Sequence, residues 1–286
     1  MVEPEGDHHM FKQVLVPLDG SELSERALPY ARRIATASGA TLHLVYVTPD
    51  LHDYSWVPGA LTVADTLAQA EEETGREMRV YLEGWRTRLS AEGLHVQIEV
   101  LSGNVADSLL DYEQKAAIDL VVICSHGRSG LSRFALGSIA ERLLRHGQKP
   151  ILIVKASGSL PDLEKAVVPL DGSARAEEEL QLIAGLAPSL VKHITLLRVV
   201  SSADESIAAE SYLREIAQRL PQGLTAEAQV VVGDEPAQVI SEVAGKQQLV
   251  VMATHGRSQA ARWITGSVAQ DVEHAGSPAV LLVRAR

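Results

Sequence analysis

Two stretches of this chain carry the same residues suited to holding an anion. VVICSHGRSGLSRFALGS, residues 121–138, returns as VVMATHGRSQAARWITGS at 250–267. Each runs from an apolar segment into a His-Gly-Arg-Ser turn and, with nine residues between that glycine and the next, into Gly-Ser. Gly127 and Gly256 lack a Cβ, so a ligand can approach the backbone closely and the turn can take positive φ. Gly137-Ser138 and Gly266-Ser267 stand just before the helical patterns SIAERLLRH and SVAQDVEH. That places unpaired backbone N–H groups and a hydroxyl at a helix start, where phosphate oxygens bind well. Arg128 and Arg257 add charge and donors in the same turns. A second repeated signature, PLDGS at 17–21 and 169–173, supplies Asp19 and Asp171 as acceptors for a base or sugar hydrogen bond across the cleft.

Other residues near these turns have plainer readings. His126 and His255 precede the key glycines without a carboxylate or second histidine at ligand spacing, and are expected to orient the loop rather than catalyse. Cys124 ends an apolar run and is expected to be a small core residue. Phe134 and Trp263 occupy matched positions where packing of the loop explains them better than base stacking. A single His-Gly or Gly-Ser would mean only a turn. Two copies at fixed spacing, each paired with PLDGS, support a nucleotide phosphate site in each.

The elements that must position these residues follow from the repeat itself. Asp19 and Asp171 lie 152 residues apart, whereas the His-Gly-Arg-Ser turns lie 129 apart, so the first copy holds an insertion, placed at about 48–80. It contains Tyr54 and Trp56 and then an acidic helical stretch, read either as a longer crossover helix with a covering loop or as a lid or subunit contact. Short β-branched runs alternate with helical patterns: strands are expected at 12–17, 41–47, 95–101, 119–124 and 150–155, and at 165–169, 193–200, 226–232, 248–253 and 279–284. SELSERALPYARRIATASG reads as one helix with a serine start and a closing glycine. Apolar strands alternating with helices indicate a parallel sheet covered on both faces. The chain is therefore expected to be α/β, with two tandem doubly wound five-stranded domains of strand order 3-2-1-4-5. They are placed at 1–155 and 165–286, with a Ser, Gly and Pro rich linker at 156–164. In such sheets ligands sit beyond the carboxyl ends of strands one and four, where both signatures fall. The fifth strands, ILIVK and AVLLVR, are apolar edges expected to pair with one another.

Composition narrows the field further. A formal charge of −11 and a pI near 5.4 argue against a nucleic-acid partner, because the basic footprint is missing. No 18-residue apolar span or leader-like segment appears and one cysteine makes no internal disulfide, so no membrane partner and a reducing, cytoplasmic location are expected. The first ten residues, MVEPEGDHHM, read as a frayed tail.

From about Gln13 to Arg284 the sequence resembles the universal stress proteins in their tandem form. The resemblance rests on PLDGS, on Gly103 and Gly233 after the third strands, and on the strand-four signature. Nucleotide-binding members of that family have G-x2-G-x9-G-[S/T]. Here the pattern reads Cys124-x2-Gly127-x9-Gly137-Ser138 and Ala253-x2-Gly256-x9-Gly266-Ser267, so small residues replace the first glycine in both copies. The resemblance implies a Rossmann-like, adenine nucleotide alpha hydrolase-like fold and ATP, with Mg2+, as cofactor. By position it puts the adenine end against Asp19 and Val47, and against Asp171 and Val199. Ile123 and Met252 would flank the ribose. Gly127, Arg128, Gly137, Ser138 and Ile139 would hold the phosphates, matched by Gly256, Arg257, Gly266, Ser267 and Val268. It also implies a pseudo-symmetric pair of domains within the chain, room for a homodimer, and stress-linked regulation.

The expected function is thus an ATP-binding regulatory protein that hydrolyses slowly or not at all, with no assigned catalytic residue and no protein metal site. A Walker GxxxxGK[ST] with its lysine is absent. Two alternatives stay open. One is an ATP-using transferase or ligase of related α/β type, although no HxGH or SGGxDS run is present. The other is an interaction module whose clefts are vestigial or hold another small ligand.

Overall fold

The structure, a computed structural model, describes residues 11–49, 60–125, 137–155, 162–172, 180, 190–221, 223–245, 248–254 and 279–284. The first copy contributes β1 (Gln13–Pro17), β2 (Thr41–Pro49), β3 (His95–Gly103), β4 (Leu120–Cys124) and β5 (Ile151–Val154). The second contributes β6 (Asp162–Pro169), β7 (His193–Val200), β8 (Thr225–Val232), β9 (Gln248–Thr254) and β10 (Ala279–Arg284). The described helices are α1 (Glu22–Glu25), α2 (Leu28–Ser38), α3 (Ala60–Ala91), α4 (Val105–Lys115), α5 (Ser138–His146), α6 (Ser206–Gln218) and α7 (Pro236–Ala244).

All ten strands form one sheet in the order β3-β2-β1-β4-β5-β10-β9-β6-β7-β8. Each copy therefore has its own strands in the expected 3-2-1-4-5 order, and within each copy every pairing is parallel. The seam is antiparallel: β10 pairs β5 with Leu281 opposite Leu152 and Val280 opposite Ile153. Pairing these apolar edges satisfies backbone groups that would otherwise face water beside buried side chains.

Alternation along the strands sorts the side chains into two layers. Val14 and Val16 join the core under α2 and α3, whereas Leu15 joins the one under α4 and α5. The first of these cores crosses the seam through Leu152, Val154, Leu281 and Val283 and continues to Leu213 and Ile216 of α6. Among the described residues, the opposite face holds one cluster under α4 and α5 and others around Ile240, Ala244 and Ala237 of α7. Among the described residues the two copies thus share one hydrophobic layer and have distinct clusters on the other side.

Two local features differ from the sequence expectation. The helical stretch after β1 breaks into α1 and α2 at Arg26 and Ala27, where Arg26 N–H donates to the Leu23 carbonyl and Pro29, lacking an N–H, restarts the helix in the first turn of α2. Its closing residue is as expected, with Gly39 at φ +68. Strand β6 begins at Asp162, and its register against β9 shifts between Asp162 and Ala166. From Ala60 onward the insertion is helix, as the longer-crossover reading expects: α3 has 32 residues against 13 in α6, its equivalent in the second copy. A Cβ on Gly75 would lie 3.9 Å from Val100 and 4.0 Å from Thr48, which places Gly75 beside the carboxyl-terminal parts of β2 and β3. The fifteen residues before it, at 1.5 Å per residue, carry α3 about 22 Å further. Tyr54 and Trp56 lie outside the described residues.

Candidate functional site

The turn after β1 is built by its own polar residues. Asp19 Oδ1 accepts from Ser21 N–H at 3.0 Å and from Ser21 Oγ at 2.5 Å, and Ser21 Oγ in turn caps α1 by accepting from Ser24 N–H. Gly20 takes φ +78, a left-handed conformation that only glycine adopts without strain. The second copy repeats the backbone: Gly172 has φ +80, and Leu170 N–H donates to Leu197 O at 2.8 Å as Leu18 N–H donates to Val45 O at 2.9 Å. Asp19 is therefore partly committed to holding its turn, a role beyond the ligand contact expected of it. Asp171 is exposed on the matching turn.

Beside this turn, β4 delivers two residues to opposite faces. Ile123 is buried in the layer under α4 and α5 together with Val47, and Ile139 of α5 packs against the same cluster. These three expected ligand neighbours meet in one place. Cys124, next along the strand, points to the other face, where it lies within electrostatic reach of the buried Tyr30 on α2. Burial, outweighing the nearby Arg26 charge, pushes the Tyr30 hydroxyl up to about 12. The small residue in place of the first motif glycine thus packs against α2 rather than into the Val47–Ile123–Ile139 cluster.

The ends of the following loop are tied together. Gly137 N–H donates to the Ser125 carbonyl at 2.8 Å, and Ser125 N–H donates to Val154 O at 2.7 Å. Gly137 then serves as the N-cap of α5 without a side-chain cap, and its carbonyl accepts the first helical bond, from Glu141 N–H. The start of α5 is thereby pinned to the carboxyl ends of β4 and β5, with Ser138 exposed on its first turn. Gly137 has φ −59 and ψ 146, so the positive φ that a glycine here suggests is not required. Gly103 differs: it sits at φ +122, and a Cβ there would come within 3.2 Å of Ser108 Oγ. It leads into Asn104, whose side chain caps α4 by accepting from Asp107 N–H.

In the second copy, Val199 and Met252 are half-buried against the core under α7. Ala253 lies in β9 opposite Val283. Gly233 follows β8, and a Cβ there would lie 3.1 Å from Val239 Cγ2. Gly127, Arg128, Gly256, Arg257, Gly266, Ser267 and Val268 lie outside the described residues, as do His126, His255, Phe134 and Trp263.

Two polar contacts went unread in the sequence. Tyr81 of α3 donates to Glu25 at 2.8 Å, and Trp85 Nε1 donates to the same oxygen at 3.3 Å, so the inserted helix is bonded to α1 beside the PLDGS turn. Burial first, and then Glu25 and Asp19, push the Tyr81 hydroxyl well above its ordinary range and keep it a donor. The signal was a repeated Tyr-Leu, at 81–82 and 212–213, whose leucines are both fully buried. The other contact is Arg198, whose Nη1 donates to Leu170 O at 3.1 Å. A charge near the end of the apolar strand HITLLRVV was its signal.

The sequence pattern of the universal stress protein family matches residues 10–155 and again residues 163–284. The chain belongs to that family. Among universal stress proteins, Mb2028c of Mycobacterium bovis is similar over nearly the full length: 27% identity over 293 residues, covering 95% of this chain and 96% of the relative. Slr1230 of Synechocystis is 25% identical over 296 residues, covering 96% and 100%. In solved structures, a universal stress protein from Archaeoglobus fulgidus shares the fold, with a TM-score of 0.72 at 18% identity over 96% of this chain and 98% of that one. Among the described residues no helix is long and apolar enough to cross a membrane, and no three His, Cys, Asp or Glu side chains gather as a metal site.

Proposed function

We propose that this universal stress protein is a cytoplasmic regulatory protein that retains an adenine nucleotide at the carboxyl edge of its sheet, one site per copy, and turns it over slowly or not at all. The observation that carries the reading is the Gly137–Ser125 hydrogen bond. It sets the first turn of α5 beside Val47 and Ile123, so a helix start suited to phosphate adjoins an apolar wall suited to a base or ribose. The N–H groups of Ser138, Ile139 and Ala140 have no intrahelical partner in such a first turn and would bind phosphate oxygens. Asp19, already oriented by Ser21, stands at the base end. Mg2+ would arrive on the phosphates with its own waters, as that ion commonly does.

Retention rather than catalysis follows from the chain's side chains. The Walker GxxxxGK[ST] run with its lysine, which in other nucleotide hydrolases holds the phosphates, is not in the sequence. Turnover is expected at about one per minute or slower, against roughly 10 per second for a median enzyme. Mass spectrometry of material released by denaturing the purified protein tests the reading. Adenine nucleotide near one equivalent per copy is expected. A different metabolite, or nothing, would count against it, as would sustained hydrolysis faster than about one per second, a tenth of that median.

A further inference from the structure

In the first copy α5 carries the helix start proposed to hold phosphate, yet little apolar surface holds α5 itself. Of its nine residues only Ala140 and Leu143 are buried. Its ion pair to α4, Arg142 with Asp107 at 2.8 Å, joins two half-exposed side chains, and such pairs contribute little. The ties at its two ends matter more. At the start, Gly137 N–H donates to the Ser125 carbonyl. At the far end, Gly147 N–H closes the last turn on Leu143 O. The next N–H, that of Gln148, donates at 2.9 Å to Oε1 of Glu113, a carboxylate that α4 delivers at 2% exposure.

Gly147 opens the seat for that carboxylate. A Cβ there would stand 2.5 Å from Leu143 O and 3.0 Å from Glu113 Oε2. Oε2 itself has no hydrogen-bond partner among the described residues. For stability alone a carboxylate is a poor occupant of this layer, because burying it with one oxygen unpaired costs more than burying an apolar side chain. The second copy uses the apolar solution. Counted from the buried pairs Ala106 with Ala237 and Leu109 with Ile240, the residue matching Glu113 is Ala244, which is just as buried.

We infer that Glu113 is a positioning residue for the first copy's phosphate site. Its bond to Gln148 N–H holds the far end of α5, about 13 Å along the helix from the first turn, and so fixes where the N–H groups of that turn lie. The inference rests on the nucleotide reading of the α5 start. Without the bond, α5 pivots on its Ala140 and Leu143 contacts, and the apparent affinity falls in proportion to the time the helix spends out of place.

Calorimetric titration with ATP of a full-length, nucleotide-stripped chain carrying Gly266→Val reads the first site. Glu113→Ala removes the acceptor and imports the second copy's residue. Gln148→Pro removes the donor instead, and Gly147, at φ −64 and ψ 161, already has the extended backbone that a residue before proline requires. Each should weaken binding about tenfold, the scale of one buried hydrogen bond. Together they should weaken it no further than either alone, since both remove the same bond. Glu113→Gln keeps an acceptor and should bind as the parent does. Leu82→Ala, which destabilises the shared core on the opposite face of the sheet, should leave the affinity unchanged, separating loss of position from loss of stability. In the unliganded chain, amide exchange over 138–146 should quicken in Glu113→Ala and not in Glu113→Gln. Parental affinity in Glu113→Ala, or in Gln148→Pro should the alanine variant not fold, would overturn the inference while leaving nucleotide binding intact. An equal loss in Glu113→Gln or in Leu82→Ala would do the same. Failure of the Gly266→Val chain to bind ATP at all would sink the nucleotide reading of the first copy, and this inference with it.

Discussion

The two copies agree where backbone geometry is demanding and part in the side chains beside those turns. Gly20 and Gly172 hold the same left-handed turn, and the hydrogen bonds behind them differ by 0.1 Å. Val47 and Ile123 are buried in the first copy, whereas Val199 and Met252 are half-buried in the second. α4 starts on a capping asparagine, but α7 starts on Glu235 with no side-chain cap and uses Pro236 instead. The first copy carries the long helix bonded to α1 beside its PLDGS turn, and the second carries Arg198 bonded to Leu170 O at its own turn. Duplication preserved what a tight turn and a parallel sheet require, because any change there costs strain or unpaired backbone groups. Side chains outside those constraints were free to diverge.

The strongest way to break this comparison is to remove both proposed phosphate sites at once. Gly137→Val combined with Gly266→Val should purify folded and carry no nucleotide, while each single variant keeps up to one equivalent. Because Gly137 has a backbone any residue adopts, folding should lose only about 1 kcal/mol from the poorer N-cap. A double variant with as much nucleotide as the parent would mean that the repeated Gly-Ser steps do not hold phosphate.

The shared core makes a second demand. Leu82 in the first copy and Leu213 in the second are fully buried in the same layer, so Leu82→Ala and Leu213→Ala should each lower one common unfolding transition by about 2–5 kcal/mol. Two separate denaturation transitions, each moved by only one of the substitutions, would show that the copies fold as independent units despite the β5–β10 seam.

A smaller effect is expected where the copies differ by a helix. Tyr81→Phe removes the hydroxyl that donates to Glu25 and should cost about 1 kcal/mol, discounted because the site is only half-buried. Urea denaturation reads it, and no change in midpoint would mean that α3 is held by packing alone.

The smallest difference concerns acid. His43, buried on β2, has Nδ1 2.9 Å from the Tyr112 hydroxyl and Nε2 2.6 Å from Gln13 Oε1, while the matching residue in the second copy is Thr195. Burial lowers the His43 pKa below its ordinary 6.5. The folded protein therefore keeps this ring neutral when the unfolded chain would protonate it. Stability from this group is full above about pH 6.5 and is lost as pH falls through the folded value, by at most about 1.4 kcal/mol per pH unit. Urea midpoints at pH 7 and pH 5.5 should diverge less in His43→Thr than in the parent, and an unchanged pH dependence would assign the acid sensitivity to other groups.

Much of the architecture was legible before any coordinate. Ten apolar runs at the right spacing became ten strands, since a strand buried on both faces needs continuous hydrophobic sequence and little else. The apolar ends of both copies pointed to the seam, and the doubled Gly-Ser pointed to the start of α5. The break after α1 escaped notice because periodicity ran through it and only Pro29 marked it. What the tertiary structure alone decided are contacts between residues far apart in the chain: Gly137 tied to Ser125, Tyr81 to Glu25, His43 between Gln13 and Tyr112, and Arg198 resting on Gly172. Local pattern determines whether a segment is strand or helix and which face it buries. Which side chain reaches which turn depends on sheet register and helix pose, which are settled only when the whole layer packs.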